Sequence, residues 1–217
     1  MEHSLVAKNV SKKIKGKNII YSTSLELRGG HIYGFVGENG SGKTMLIRIL
    51  CGLVIPSTGV VLLDDVDVHK KQKQIKMGVI IENSSLWPEL TGIENLELLA
   101  SLNRQITKQE IKDTMMRVGL DPKNRLPIRK YSLGMRQRLI VAQAVMERPD
   151  FLFLDEPTNS IDREGVLLTH RIIEQEAERG AVILLASHIN QDISNLCSQI
   201  FFVNKGYCSI DEKGTRR

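Results

Sequence analysis

The spacing of apolar residues changes along the chain. Ser4 to Val10 and Ile19 to Leu27 are apolar-rich runs on either side of Lys15-Gly16-Lys17, the pattern of two strands joined by a turn. Ile32 to Val36 is a short apolar strand that runs into a glycine-rich stretch. Met45 to Leu50 follows as a helix and stops near Gly52 and Pro56. Val60 to Leu63 and Val79 to Ile81 read as further strands. From Ile93 to Glu147 the alternation fades. Leu96, Leu99 and Ala100, then Ile111, Met115 and Val118, recur at helical spacing. Phe151 to Leu154 and Ala181 to Ala186 return as buried-strand runs around a helical stretch from Arg163 to Arg179. Strands alternating with helices predict an α/β fold with a mainly parallel sheet and helices on both faces. The pattern predicts one domain over 1–217. It has an N-terminal antiparallel β element and a helical lobe inserted over approximately residues 83–147.

Composition narrows the partners. A chain of 217 residues is long enough for one real core. Its 41% hydrophobic and 25% charged residues are ordinary globular usage. The net charge of +5 suits phosphate ligands or an anionic membrane surface as well as it suits a plain solvated lysine excess. The lysines at 12–17 and 70–76 are not interleaved with aromatics, which argues against a nucleic-acid partner. No apolar run approaches the roughly 18 residues that span a bilayer, and the N-terminus lacks the apolar core of a secretory signal. Cys51, Cys197 and Cys208 are widely spaced, which predicts reduced thiols in a cytosolic chain rather than a disulfide framework or a metal site.

Two segments carry chemistry. Gly37-Glu38-Asn39-Gly40-Ser41-Gly42-Lys43-Thr44 matches G-x-x-x-x-G-K-[ST], between a predicted strand and a predicted helix. Its glycines let backbone N–H groups converge on phosphate oxygens, and the helix N-terminus adds a favourable dipole. Lys43 places a charge on the β- and γ-phosphates, the Thr44 hydroxyl ligates Mg²⁺, and Met45 sits in the first turn of the predicted helix. The second segment, Phe151 to Glu156, is an apolar strand ending in two acids. Asp155 suits an outer ligand to Mg²⁺, and Glu156 suits a general base that orients the attacking water. A strand end followed by the turn Pro157-Thr158-Asn159 is the bland alternative for that segment, and pairing with the upstream loop weighs against it.

The ordered set resembles the ATP-binding cassette (ABC) nucleotide-binding domains over essentially the whole chain. Gly37 to Thr44 resembles Walker A, and Phe151 to Glu156 resembles Walker B with its catalytic glutamate. Tyr131-Ser132-Leu133-Gly134-Met135-Arg136-Gln137-Arg138 resembles the ABC signature, Asn159-Ser160-Ile161-Asp162 the D-loop, and Ser187-His188 the switch histidine. The resemblance implies a P-loop NTPase core and an ATP hydrolase. Two such domains would pair head to tail around two Mg·ATP, and a homodimer is expected. Each site would join one subunit's phosphate loop to the partner's Ser132, Gly134 and Met135. Lys43, Glu156 and His188 would be catalytic, with His188 contacting the γ-phosphate. The expected partner is a separate transmembrane permease, which would hold the chain on the cytoplasmic face of the cell membrane.

Three departures accompany the resemblance. Leu133 and Met135 stand where the signature usually has glycine and glutamine, so any polar contact of that glutamine is lost. Glu82 aligns with the Q-loop glutamine; it would be a metal ligand but would bring a further negative charge near Glu156. Ile14 aligns with the aromatic that usually stacks on adenine, with Tyr21 as the alternative. Leu86 to Asn95 resembles the start of the helical lobe where the permease docks, and Trp87 is either a docking anchor or an aromatic packed on the lobe. Glu82 with the Ser-Leu-Gly-Met signature resembles the subgroup that drives export of, or immunity to, antimicrobial peptides. A soluble cytosolic assembly ATPase, such as one for iron–sulfur clusters, is the competing function.

Overall fold

The computed structural model describes residues 2–70, 75–81, 86–187 and 190–210, the side chains of 190–192 excepted. Strands β1 (Ser4–Ile14) and β2 (Lys17–Arg28) form an antiparallel hairpin. Its two-residue turn holds Lys15 at φ 47° and Gly16 at φ 79°. That left-handed pair matches the twist of the flanking strands. Strand β4 (Thr58–Leu63) pairs with the other edge of β1, and β5 (Val66–Asp67) pairs with β4. The result is a four-stranded antiparallel sheet in the order β2-β1-β4-β5.

The second sheet has the order β10-β9-β3-β8-β7-β6. Its strands are β3 (Ile32–Val36), β6 (Met77–Ile80), β7 (Phe151–Asp155), β8 (Val182–Ala186), β9 (Gln199–Asn204) and β10 (Tyr207–Ile210). All neighbours run parallel except the edge strand β10, which pairs antiparallel with β9. The mainly parallel sheet and the antiparallel N-terminal element are those expected. Strands β9 and β10 are additions, and the first helix, α1 (Lys43–Leu50), begins inside the phosphate loop rather than at Met45.

Side-chain alternation builds two cores. Phe151 and Phe153 of β7 and Val182 and Leu184 of β8 pack with Leu46 and Ile47 of α1 and with Leu5 and Leu27 of the antiparallel sheet. Leu152, Leu154, Ile183 and Leu185 point the other way, into a core that includes Leu139, Ala142, Ile172 and Ile173. Strands buried on both faces read as continuous apolar runs, which is why β7 and β8 show no polar alternation.

Between β6 and β7 lie α2 (Gly92–Asn103), α3 (Lys108–Arg117) and α4 (Leu133–Val145). Residues 83–85, where this helical part was expected to begin, lie outside the described residues. Thr91 with Glu94 and Thr107 with Glu110 form capping boxes that fix the starts of α2 and α3. The Thr91 and Thr107 amides and hydroxyls hold the carboxyls of Glu94 and Glu110 below the usual range. Helix α5 (Arg163–Glu178) lies between β7 and β8, and α6 (Asn190–Leu196) between β8 and β9.

Helix α4 lies directly on β6. A Cβ at Gly78 would sit 2.0 Å from the Ala144 carbonyl oxygen. Contact that close is backbone on backbone and cannot yield by a rotamer change. Gly78→Val is therefore expected to push α4 off the sheet and to destabilise the protein by about 1–3 kcal/mol, as overpacking does. Urea unfolding monitored by circular dichroism measures the loss.

Candidate nucleotide-binding site

The site begins where β3 ends. The chain leaves Val36 and turns through Gly40 at φ 78° and Gly42 at φ 112° before α1 starts at Lys43. Those backbone angles are open to glycine and strained for other residues. The Ser41 N–H donates to Glu38 O at 3.1 Å, closing the loop. Gly42 caps α1 without a side-chain hydrogen bond, so the first amides of the helix have no side-chain acceptor at that cap. The Lys43 ammonium donates to Gly37 O at 2.6 Å and Glu38 O at 3.1 Å, and the side chain is buried. Gly37 and Glu38 thus serve as acceptors behind the loop and do not line the cleft. Outside the loop lies the β9–β10 turn. Gly206 N–H donates to Ser41 O at 2.8 Å, and a Cβ on Gly37 would stand 2.1 Å from Val203 O.

The acidic side comes from β7. The Thr44 hydroxyl donates to Asp155 Oδ2 at 2.6 Å. Asp155 is buried at the strand end. Glu156 follows at φ 54°, its N–H donating to Ala186 O of β8 at 2.8 Å. Asn39 to Met45, Ile19, Arg48, Asp155, Glu156 and Asn159 line a cleft of about 640 Å³. That volume lies within the usual range for small-molecule sites.

The cleft fits a nucleotide triphosphate and a cation on its own chemistry. Ser41 Oγ is buried with no hydrogen-bond partner among the described residues, and a phosphate oxygen at this loop would satisfy it. The lysine and the helix N-terminus give one wall an anion preference. The Thr44 hydroxyl and the Asp155 carboxylate place two hard oxygens beside it, the donor type that Mg²⁺ selects.

The structure brings together only part of the expected set. Asn39 to Met45, Asp155 and Glu156 meet in the cleft. Ser132, Gly134 and Met135 do not line it. Ser132 caps α4 and accepts the Met135 N–H at 3.1 Å. Next to it, Leu133 is 68% exposed. Ile14 closes β1, 40% exposed and outside the cleft lining, whereas Ile19 lines the cleft. Tyr21 stacks face to face on Tyr207 at 3.9 Å and not on the cleft. Glu82 and His188 lie outside the described residues. The Trp87 ring is 45% exposed, and its backbone is pinned by Asn95 through hydrogen bonds of 2.7 and 3.1 Å.

Sequence reasoning missed Ile19, Arg48 and the Gly206 turn. Only the turn left a signal: Asn204-Lys205-Gly206 follows the apolar run Ile200 to Val203, a hairpin cue.

Phosphate loop, paired acids and parallel sheet together define a P-loop nucleotide-binding α/β protein. The family model described as ABC transporter matches residues 20–159. The ABC transporter ATP-binding protein YybJ of Bacillus subtilis (strain 168) is 43% identical over 206 residues, covering 94% of each chain. The bacitracin transport ATP-binding protein BcrA of Enterococcus faecalis is 32% identical over 210 residues, covering 95% of this chain and 68% of that protein. A solved ATP-binding cassette, a dimer in a post-hydrolysis state bound to ADP and phosphate, superposes with a TM-score of 0.87 at 22% identity, covering 98% of this chain and 99% of that one; it establishes the shared fold. The chain belongs to the ABC transporter family, as an ATP-binding subunit and ABC-type ATPase.

An aliphatic contact at the base position supplies no π-face. Ile14 lies outside the cleft that Ile19 lines, so Ile14→Tyr is expected to leave ATP binding within about twofold rather than gain an aromatic–base stack. Ile19→Ala should weaken ATP and GTP alike. Calorimetric titration of both nucleotides distinguishes the two positions: an unchanged Ile14→Tyr protein places the base against Ile19 alone.

Proposed function

We propose that residues 1–217 act as a single ABC ATPase domain, with the helical part at approximately 83–147, that hydrolyses Mg·ATP as a head-to-tail homodimer and drives a separate transmembrane permease from the cytoplasmic face of the membrane. The observation that carries this reading is the one-sidedness of the site. Phosphate loop and acids share one open cleft, while the signature turn Ser132 to Met135 lies elsewhere, with Leu133 projecting into solvent. A second copy would bring that turn over the γ-phosphate. Amides at the start of α4 and the Ser132 hydroxyl would then neutralise charge that one loop leaves exposed.

Within each cleft Lys43 holds the β- and γ-phosphates and Glu156 takes the proton of the attacking water. Thr44 and Asp155, with Glu82, would hold Mg²⁺, which neutralises charge developing on the phosphates. His188 contacts the γ-phosphate and reports its presence. The permease docks near Trp87, where Leu86, Pro88, Ile128, Arg129, Arg136 and Ile140 line an apolar groove of about 260 Å³ with two cations. No helix among the described residues is long and apolar enough to cross a membrane, so the translocation path would come from the partner. The cargo we assign is an antimicrobial peptide. The support is the Leu133–Met135 signature and the likeness to BcrA, whose name specifies bacitracin transport.

Glu156→Gln is expected to bind Mg·ATP normally and lose most turnover, because an amide accepts no proton. With hydrolysis blocked, ATP should hold a dimer that elutes early in size-exclusion chromatography. Near-normal turnover would remove Glu156 from the chemistry. Ser132→Arg should leave monomer affinity for ATP within about threefold and abolish most activity, since its charge and bulk sit at the closing surface. Nucleotide titration and steady-state turnover on one preparation test that separation.

A further inference from the structure

The turn that carries Glu156 is held from an unexpected direction. Gln137 sits one helical turn inside α4, on the signature segment, and does not line the cleft. Its side-chain amide donates to Pro157 O at 3.0 Å and to Glu156 O at 3.4 Å. Two carbonyl acceptors fix which end of the amide faces them, because only the NH₂ group can donate.

These contacts fall where the backbone needs holding. Glu156 is at φ 54°, a left-handed conformation that a glutamate keeps only when its surroundings impose it. On the N-terminal side, the Glu156 N–H is fixed by Ala186 O at 2.8 Å. On the C-terminal side, the Asn159 N–H reaches Glu156 O at 3.3 Å, and Gln137 supplies a further donor. The same helix also rests on the following loop, for a Cβ on Gly134 would lie 3.1 Å from Ser160 O. Helix α4 therefore bears on the 156–160 segment at two successive turns.

The geometry points to Gln137 as a positioning residue for hydrolysis: it holds the carbonyls of Glu156 and Pro157, so that the signature helix sets where the Glu156 carboxylate stands in the cleft. This rests on Glu156 as the base. In the dimer proposed above, α4 would touch the partner's nucleotide with its N-terminus while gripping its own chain's base turn with Gln137. Closure over one nucleotide then aligns the base at the other, and the two sites are linked through one rigid helix.

The test compares Gln137→Met, similar in length without a donor, with Gln137→Lys, which restores a donor at similar reach, and Gln137→Glu, which keeps the shape but offers only acceptors. All are studied as the intact chain, with Glu156→Gln in parallel. Gln137→Met and Gln137→Glu are expected to lower kcat by roughly tenfold to a hundredfold, the cost of a slightly misplaced reacting group. Their KM and calorimetric ATP affinity should stay within about twofold, because binding is made by the phosphate loop. Gln137→Met in the Glu156→Gln background should still dimerise with Mg·ATP. Gln137→Lys should recover a large part of kcat, which a merely structural role would not predict. Wild-type kcat in Gln137→Met overturns the inference. So does a Gln137→Lys protein no better than Gln137→Met when both unfold at the same temperature. Should Glu156→Gln itself turn over normally, the assignment of the base fails, and the inference fails with it; an inactive Glu156→Gln beside an unimpaired Gln137→Met sinks the inference alone.

Discussion

The hydrogen bond from Thr44 to Asp155 joins residues 111 apart at 2.6 Å, and the cleft exists because the fold makes that contact. Thr44 stands in the first turn of α1, and Asp155 ends β7. Strands β3 and β7 are not neighbours, for β8 runs between them. At about 4.8 Å per strand, their C-terminal ends are about 10 Å apart. That gap admits a phosphate chain between the loop after β3 and the acids after β7. The open α/β sheet places its ligand at the carboxyl ends of its strands, as such sheets do. Both cores serve this spacing. The fully buried Phe151 and Phe153 lock β7 against α1 and the antiparallel sheet, and Leu152 and Leu154 lock its other face.

A site assembled this way is strong in ground-state contacts and one-sided. It offers donors to one face of a triphosphate and a carboxylate pair to its end. Among the described residues nothing covers its other side. Ser132 and Gly134 carry helix-terminal groups suited to that role, yet they lie on α4, away from the cleft. In the proposed dimer the nucleotide would be a connector between chains, and its loss a release. That would be the physical basis on which the proposed dimer moves a permease. Gln137 adds a path by which the cover on one side informs the base on the other.

Much of this was legible in the sequence because local chemistry and global placement agree. Gly40, Gly42, Lys43 and Thr44 occupy fixed offsets imposed by phosphate geometry, so the pattern and the function share a cause. Phe151 to Glu156 was legible through its pairing with that pattern: an apolar strand ending in two acids could be a plain strand end before a turn, and the upstream phosphate loop is what gives the acids a cation to hold. Other features had no such cause. The left-handed Glu156 comes from tertiary contacts, since glutamate has no preference for that conformation. Gln137 is one polar residue on a helix, and only the fold shows that it faces the 156–157 carbonyls. The family resemblance implies Ile14 at the base position, yet the hairpin leaves Ile14 at its exposed end while Ile19 reaches the cleft. Strands β9 and β10 are not among the elements the apolar pattern predicts, although Ile200 to Val203 is apolar. Their role as a brace on the phosphate loop depends on the parallel pairing of β9 with β3, which no local signal encodes.

In the proposed function one chain holds an incomplete catalytic site. The most direct measurement is the ATPase rate per chain as a function of protein concentration at saturating Mg·ATP, from well below the dimerisation constant to well above it. An incomplete site gives a rate per chain that rises in proportion to concentration at the low end and then levels off. A rate per chain that stays constant across the whole range, in a protein shown by light scattering to be monomeric throughout, would contradict it.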